Sequence, residues 1–298
     1  MTTDQDGQRR SMHLVETDWL ERNLDAPDLR IFDCTVTARP NPEADARSPI
    51  LSETGRAGFD DGHIPGAGFL DLISDLSDPS GMLAFMAPPR ERFAGAMGDV
   101  GVSDGKQVVL YSATEPIWAT RVWWLLRAFG FTGAAILDGG WGKWTAEQRP
   151  VSTEPCAYEP TQFLARPTAG CFVDQEAMLA AVGDERVSIV NALPAPVFAG
   201  TGGPVFGRKG RVAGSVSIPF ASLHDQDTGT YLGPEKLRAA FAAVDVDSSE
   251  RIMAYCGSGV AATNDAFALV MLGHENVAVY DASMSEWGHD ASLPMESD

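Results

Sequence analysis

The sequence predicts two α/β units in tandem, each a mainly parallel sheet flanked by helices. Three observations carry that prediction: an internal repeat, a strand–helix–strand alternation within each repeat, and a proline-rich stretch between them. VGVSDGKQVVLYS from Val100 is echoed by VDVDSSERIMAYC from Val244, 144 positions on. AAILDGGWGKW from Ala134 returns as VAVYDASMSEW from Val277, 143 positions on. HIPGAGFLDL from His63 pairs with RVAGSVSIPF from Arg211, and Ile31-Phe32-Asp33 pairs with Ile189-Val190-Asn191. Solenoid repeats have periods of roughly 20–50 residues, so a repeat this long is a duplicated domain.

The elements follow in order. A turn at His63 leads into a strand over 64–70. Val108 to Tyr111 is an apolar run of buried-strand length. Thr120 to Phe129 follows as a helix whose apolar face holds Trp123, Trp124 and Leu126, with Gly130 at its stop. Ala134 to Leu137 is the next strand. Gln148 to Gly170 carries Pro150, Pro155, Pro160 and Pro167 and reads as a linker. In the second copy the strand is Arg251 to Tyr255, the helix Val260 to Leu272, the stop Gly273 and the next strand Val277 to Tyr280. Strand–helix–strand units imply parallel sheets covered by helices. The expected division is a first domain over 12–147, a linker over 148–170 and a second domain over 171–298.

Composition narrows the function. The chain has 22 Lys and Arg against 41 Asp and Glu, a formal charge of −19. Nucleic-acid binding needs clustered cations, and anionic membranes repel such a chain, so neither partner is expected. Four Cys in 298 residues do not make a disulfide scaffold. No apolar run approaches the roughly 20 residues of a membrane helix. The polar stretch from Met1 to Met12 lacks a signal-peptide core, and a cytoplasmic location is expected. Composition leaves the oligomeric state open.

The two copies diverge after the repeated Tyr. The second continues Cys256-Gly257-Ser258-Gly259-Val260-Ala261, the first Ser112-Ala113-Thr114-Glu115-Pro116-Ile117. Ligands of open α/β sheets bind beyond the carboxyl ends of strands. Gly257 and Gly259 allow successive N–H groups to point inward as an anion nest, and the following helix adds the positive end of its dipole. A Cys held there is expected as a reactive thiolate. The plainer reading of Cys256 is a small buried hydrophobe after a core strand. That plainer reading suits Cys34, Cys156 and Cys171, which lack such a context. A cysteine-phosphatase loop would place Arg six positions after the Cys, where Ala262 stands, and a P-loop would need Gly-Lys-Ser/Thr. What remains is a thiolate in an amide cradle, suited to carry a sulfane sulfur as a persulfide.

On these residues the chain resembles the tandem rhodanese-domain sulfurtransferases, which include thiosulfate and 3-mercaptopyruvate sulfurtransferases. The resemblance runs from about Val15 to Pro294. It rests on Gly62-His63-Ile64-Pro65-Gly66-Ala67, Arg121-Val122-Trp123-Trp124, Asp138-Gly139-Gly140 and Tyr255-Cys256-Gly257-Ser258-Gly259-Val260. It implies an inert first domain, a catalytic second domain and ping-pong sulfur transfer through Cys256. The expected acceptor is cyanide, a small thiol, thioredoxin or a sulfur-relay protein. No metal or organic cofactor is implied. Gly-Ser-Gly after the Cys is similar to the mercaptopyruvate enzymes, where an Asp and a His of the first domain orient the loop Ser. Here those positions fall at Ile73 and Phe85, and Asn191-Ala192-Leu193 to Val197-Phe198 lacks the family's substrate-binding Arg residues.

Cations cluster instead at Arg208, Lys209 and Arg211, either as relocated donor binding led by Arg208 or as an ordinary solvated turn. His63 is expected to hold a turn, and Trp287 to wall the pocket or fill the core. His224, His274 and His289 show no zinc spacing with Cys. A binding or sulfur-carrier module without turnover is the alternative to an enzyme.

Overall fold

The computed structural model describes residues 2–42 and 49–298. The first half contains α1 (Thr2–His13), β1 (Leu14–Val15), α2 (Thr17–Arg22), β2 (Leu29–Asp33), β3 (Val36–Pro40), β4 (Ile50–Thr54) and α3 (Arg56–Asp61). It continues with β5 (Ala67–Phe69), α4 (Arg90–Asp99), β6 (Gln107–Tyr111), α5 (Ile117–Ala128), β7 (Ala134–Leu137) and α6 (Gly140–Ala146). The second half contains β8 (Phe172–Val173), α7 (Gln175–Ala181), β9 (Val187–Asn191), α8 (Ala195–Ala199), β10 (Arg211–Val212) and β11 (Val216–Ser217). It ends with α9 (Pro234–Ala242), β12 (Arg251–Tyr255), α10 (Ala262–Met271), β13 (Val277–Tyr280), α11 (Ser283–Trp287) and β14 (Met295–Glu296).

Each half builds a five-stranded parallel sheet. The orders are β5-β2-β6-β7-β1 and β11-β9-β12-β13-β8, so equivalent strands hold equivalent places. Register repeats as well: Asp33 lies opposite Tyr111 in the first sheet, and Asn191 opposite Tyr255 in the second. The expected tandem α/β class is the observed one. Two antiparallel pairs, β3 with β4 and β10 with β14, stand outside the sheets and were not expected.

The halves meet along the helices that follow their loops. All ten residues of α10 are buried, as are ten of the twelve in α5. A helix buried on every side is covered on every side, here by its own sheet and by the other helix, so its few polar side chains depend on partners inside. Trp123 meets Phe267 edge-to-face at 4.7 Å, and the Thr120 and Thr263 hydroxyls bond at 2.9 Å. Trp124 is fully buried beside them. Truncating an aromatic side chain in such a core costs about 3–5 kcal/mol. This interface fixes the relation between the first half and the loop that follows β12. Among the described residues no helix is long and apolar enough to cross a membrane.

Candidate active site

Cys256 sits at the carboxyl end of β12, a central strand, with 2% of its surface exposed. The loop from Cys256 to Ala261 then enters α10. A complete account of its peptide groups explains its shape. The Cys256 carbonyl accepts from Met284 N–H at 3.1 Å. The Gly257 carbonyl accepts from the N–H and the hydroxyl of Ser285, both at 2.8 Å. Arg121 Nη1 donates to the Gly259 carbonyl at 3.1 Å, and the Val260 carbonyl accepts from Thr263. In a trans peptide the N–H points away from its carbonyl. The N–H groups of Gly257, Ser258, Val260 and Ala261 therefore turn to the opposite side, where no acceptor meets them among the described residues. The remaining N–H groups, of Cys256 and Gly259, donate to Ser283 Oγ at 3.0 and 3.1 Å.

Both loop glycines are sterically required. Gly259 has φ +71, and a Cβ there would lie 2.3 Å from the Asp281 carbonyl oxygen. A Cβ on Gly257 would come within 2.3 Å of the Phe206 ring, which covers the loop from the second half. Four loop N–H groups that meet no acceptor among the described residues, on the segment that starts at Cys256, favour negative charge there. The Ser258 hydroxyl is half-buried and has no partner among the described residues.

A cavity of about 80 Å³ is lined among others by Leu193, Val197, Phe206, Arg208, Lys209 and Met284 and by no residue of the loop itself; Phe206, against Gly257, and Met284, bonded to the Cys256 carbonyl, connect it to the loop. Arg208 and Lys209 of the expected basic cluster line this cavity and Arg211 does not, and both guanidiniums of the cluster are already engaged. Arg208 donates to the carbonyls of Trp287, Gly288, Asp290 and Leu293, capping the chain after α11. Arg211 pairs with Asp298 at 2.7 Å and Glu296 at 3.5 Å, and its guanidinium stacks on Phe198. The bidentate fork expected to grip a donor is therefore directed at the backbone. Lys209 is exposed and has no partner among the described residues.

The other sequence candidates take structural places. His63 is buried, stacked on Phe59, with its ring nitrogens against the Phe59 and Glu154 carbonyls at 2.8 and 3.0 Å. Trp287 is buried and donates to the Pro294 carbonyl. Cys34, Cys156 and Cys171 are free thiols, and burial pushes each of them up. Ile73 is exposed, and Phe85 packs on Trp118 with φ 63.

Four residues that bound the loop have no site role in the sequence reading: Asp281, Ser283, Ser285 and Arg121, which stands there only within a family element. The repeat held one signal for them. Ser283 stands where the first copy has Gly140, a change that adds a hydroxyl at the turn facing the Cys.

Comparison with known proteins gives the same reading. The rhodanese-like domain model matches residues 16–147 and 174–290. Thiosulfate sulfurtransferase of Cricetulus griseus is 32% identical over 93% of this chain and 92% of its own length. The 3-mercaptopyruvate sulfurtransferase of Mus musculus is 34% identical over 92% of this chain and 91% of its own. The crystal structure of SseA from Escherichia coli, described as a 3-mercaptopyruvate sulfotransferase, superposes with a TM-score of 0.78 at 29% identity, covering 91% of this chain and 98% of that one. The chain belongs to the rhodanese-like family, with two such domains in tandem, and it is a sulfurtransferase.

Proposed function

We propose that Cys256 carries the transferred sulfur as a persulfide, taken from 3-mercaptopyruvate or thiosulfate and handed to a thiol or cyanide. The observation that carries this reading is a buried cysteine at the head of a loop in which four N–H groups meet no acceptor among the described residues. In the first half-reaction the Cys256 thiolate attacks the transferable sulfur. A sulfur–sulfur bond forms, and the bond from that sulfur to its carrier breaks. The electron pair leaves on sulfite from thiosulfate, or on the enolate of pyruvate, which then takes a proton. In the second, the acceptor attacks the outer sulfur and Cys256 departs as thiolate. The amide cradle supports the anionic sulfur in both halves, since fixed dipoles need no reorganisation.

Scarcity of free cations bears on the donor. With Arg208 and Arg211 engaged, Lys209, the loop amides and the Ser258 hydroxyl remain for it. That supply favours one carboxylate over a dianion, and so 3-mercaptopyruvate over thiosulfate. Relatives of both names are similar to this chain to nearly the same degree. A cytoplasmic setting and a small thiol or thioredoxin as acceptor belong to the same proposal.

Steady-state kinetics with either donor and a thiol acceptor test it. Parallel double-reciprocal lines and loss of turnover in Cys256→Ser are expected, because a hydroxyl cannot replace the thiolate. Intersecting lines, or wild-type turnover in Cys256→Ser, would overturn the persulfide reading.

A further inference from the structure

We propose that Arg121 of the first domain is a positioning residue for the sulfur-transfer loop of the second, and that Asp281 holds it there. The inference rests on the persulfide reading and adds the part the first domain plays in it. Arg121 is wholly buried, in the middle of α5. It pairs with Asp281 at 2.7 Å, donates to the Phe85 carbonyl, and places its guanidinium over the Phe172 ring. Asp281 accepts a further bond from the Ala87 N–H at 2.7 Å. These contacts offset part of the cost of a buried charge, with Arg121 Nε left without a hydrogen-bond partner among the described residues. None of them needs the loop. The bond from Arg121 to the Gly259 carbonyl is additional, and it fixes the peptide plane between Gly259 and Val260. With the carbonyl drawn to Arg121, the Val260 N–H faces the open side of the cradle.

The duplicated half supplies an internal control. Asp138 stands where the second copy has Asp281, and it accepts from the Tyr231 N–H at 2.8 Å as Asp281 does from Ala87. The place of Arg121 is held by Asn264, and the cation comes from α1 instead: Arg10 pairs with Asp138 at 2.5 Å. The remaining bonds of Arg10 go to the Tyr231 and Leu232 carbonyls, and none reaches the loop from Ser112 to Ile117. Both clamps tie the two halves together. Arg121 alone of the two also grips the loop that follows the central strand, and that loop carries Cys256.

The test compares Arg121→Met, Arg121→Lys, Asp281→Asn and Arg10→Met in the full chain. Three readouts are taken: melting temperature, kcat and KM with 3-mercaptopyruvate, and the rate of Cys256 alkylation by iodoacetamide across pH, assigned by peptide mass. Arg121→Met is expected to lower kcat about a hundredfold, the scale of losing a preorganised donor, with the acceptor KM little changed. Its alkylation profile is expected to move to higher pH, because a misdirected amide no longer favours the thiolate. Arg121→Lys keeps the charge and is expected to recover part of the loss. Arg10→Met is expected to lower the melting temperature while kcat and the profile stay within about twofold of wild type.

A folded Arg121→Met with wild-type kcat and profile overturns the proposal. So does an equal loss in Arg10→Met, which would mark a general effect of loosening the two halves. If Arg121→Met does not fold, Arg121→Lys and Asp281→Asn decide: unchanged kcat and profile in both overturn it, and a loss in both supports it. Alkylation needs no sulfur donor, so it reports on the loop even if the wild type were to take up no sulfur. That separates failure of this inference from failure of the persulfide reading.

Discussion

The loop after β6 and the loop after β12 share one framework and differ in what becomes of their amides. Each follows a buried Tyr whose hydroxyl accepts from a backbone N–H, of Ile64 in the first half and Val212 in the second. The first loop carbonyl is held by Trp141 N–H at 3.2 Å in one half and by Met284 N–H at 3.1 Å in the other. Even the strained turn recurs, with φ 54 at Gly140 and φ 51 at Ser283. In the first loop, however, Ala113 N–H donates to Thr35 Oγ1 at 2.8 Å, Thr114 N–H donates to Ser112 Oγ, and Pro116 has no N–H. Thr35 corresponds to Leu193, whose N–H rests on Asn191 as that of Thr35 rests on Asp33. One hydroxyl in the first half thus fills the space that an apolar side chain leaves open in the second. A cradle is made here by removing internal acceptors from a loop whose carbonyls stay tied. A left-handed Ser283 costs of order 1 kcal/mol, set against the two N–H bonds its hydroxyl accepts.

The strongest way to break the contrast is Gly259→Val. Its backbone is left-handed and its Cβ would meet the Asp281 carbonyl at 2.3 Å, so persulfide loading should fall at least a hundredfold, the scale of a lost preorganised donor. The melting temperature should also drop. The matched control is Gly66→Ala, also at positive φ but facing open space, which should keep full loading. Normal loading in folded Gly259→Val would show that the cradle does not need this conformation.

Leu193→Thr imports the first loop's hydroxyl. Bonding to Gly257 N–H should lower donor kcat/KM about tenfold, the scale of one charge-assisted bond, with some loss of stability because Leu193 packs on both cores. An unchanged kcat/KM would mean that the Thr35 contrast has no bearing on turnover.

Asp265 in α10 matches Val122 in α5, and both are fully buried. Burial pushes the Asp265 carboxyl well above the usual carboxylate range. The native state therefore keeps a proton that the unfolded chain has released, so stability falls as pH rises from the ordinary carboxylate range toward the raised native value. One such proton is worth about 1.4 kcal/mol per pH unit. Asp265→Val should be more stable than wild type, by a margin that widens as pH rises above the ordinary carboxylate range in urea unfolding. A margin independent of pH would contradict this.

The smallest effects are expected in the basic cluster. Lys209→Ala should lower donor kcat/KM about threefold, and less at high salt, as expected for an exposed charge. Arg208→Ala should lower the melting temperature and affect donor and acceptor alike. A loss confined to the donor would restore Arg208 to the donor site.

Much of this was legible in the sequence. The repeat aligned the strands and helices, and the change from Ser112-Ala113-Thr114 to Cys256-Gly257-Ser258 marked the loop. The missing parts are long-range. Arg121 reaches residues 138 and 160 positions away, and nothing in α5 alone separates a buried Arg from an exposed one. Arg208 looked like a free fork because its carbonyl partners lie about 80 residues on. Nothing in the polar stretch from Met1 to Met12 marks it as a docked helix, yet Arg10 links both halves. The exchange of Thr35 for Leu193 was invisible because each sits two residues past a strand, where one chain shows no reason for a hydroxyl.

The central claim is that the second loop, and not the first, carries sulfur on Cys256. Intact-protein mass after incubation with 3-mercaptopyruvate, followed by peptide mapping, tests it most directly. The expected result is a gain of one sulfur atom on Cys256, reversed by a thiol and absent in Cys256→Ser. No gain in the wild type, or a gain retained in Cys256→Ser, would contradict it.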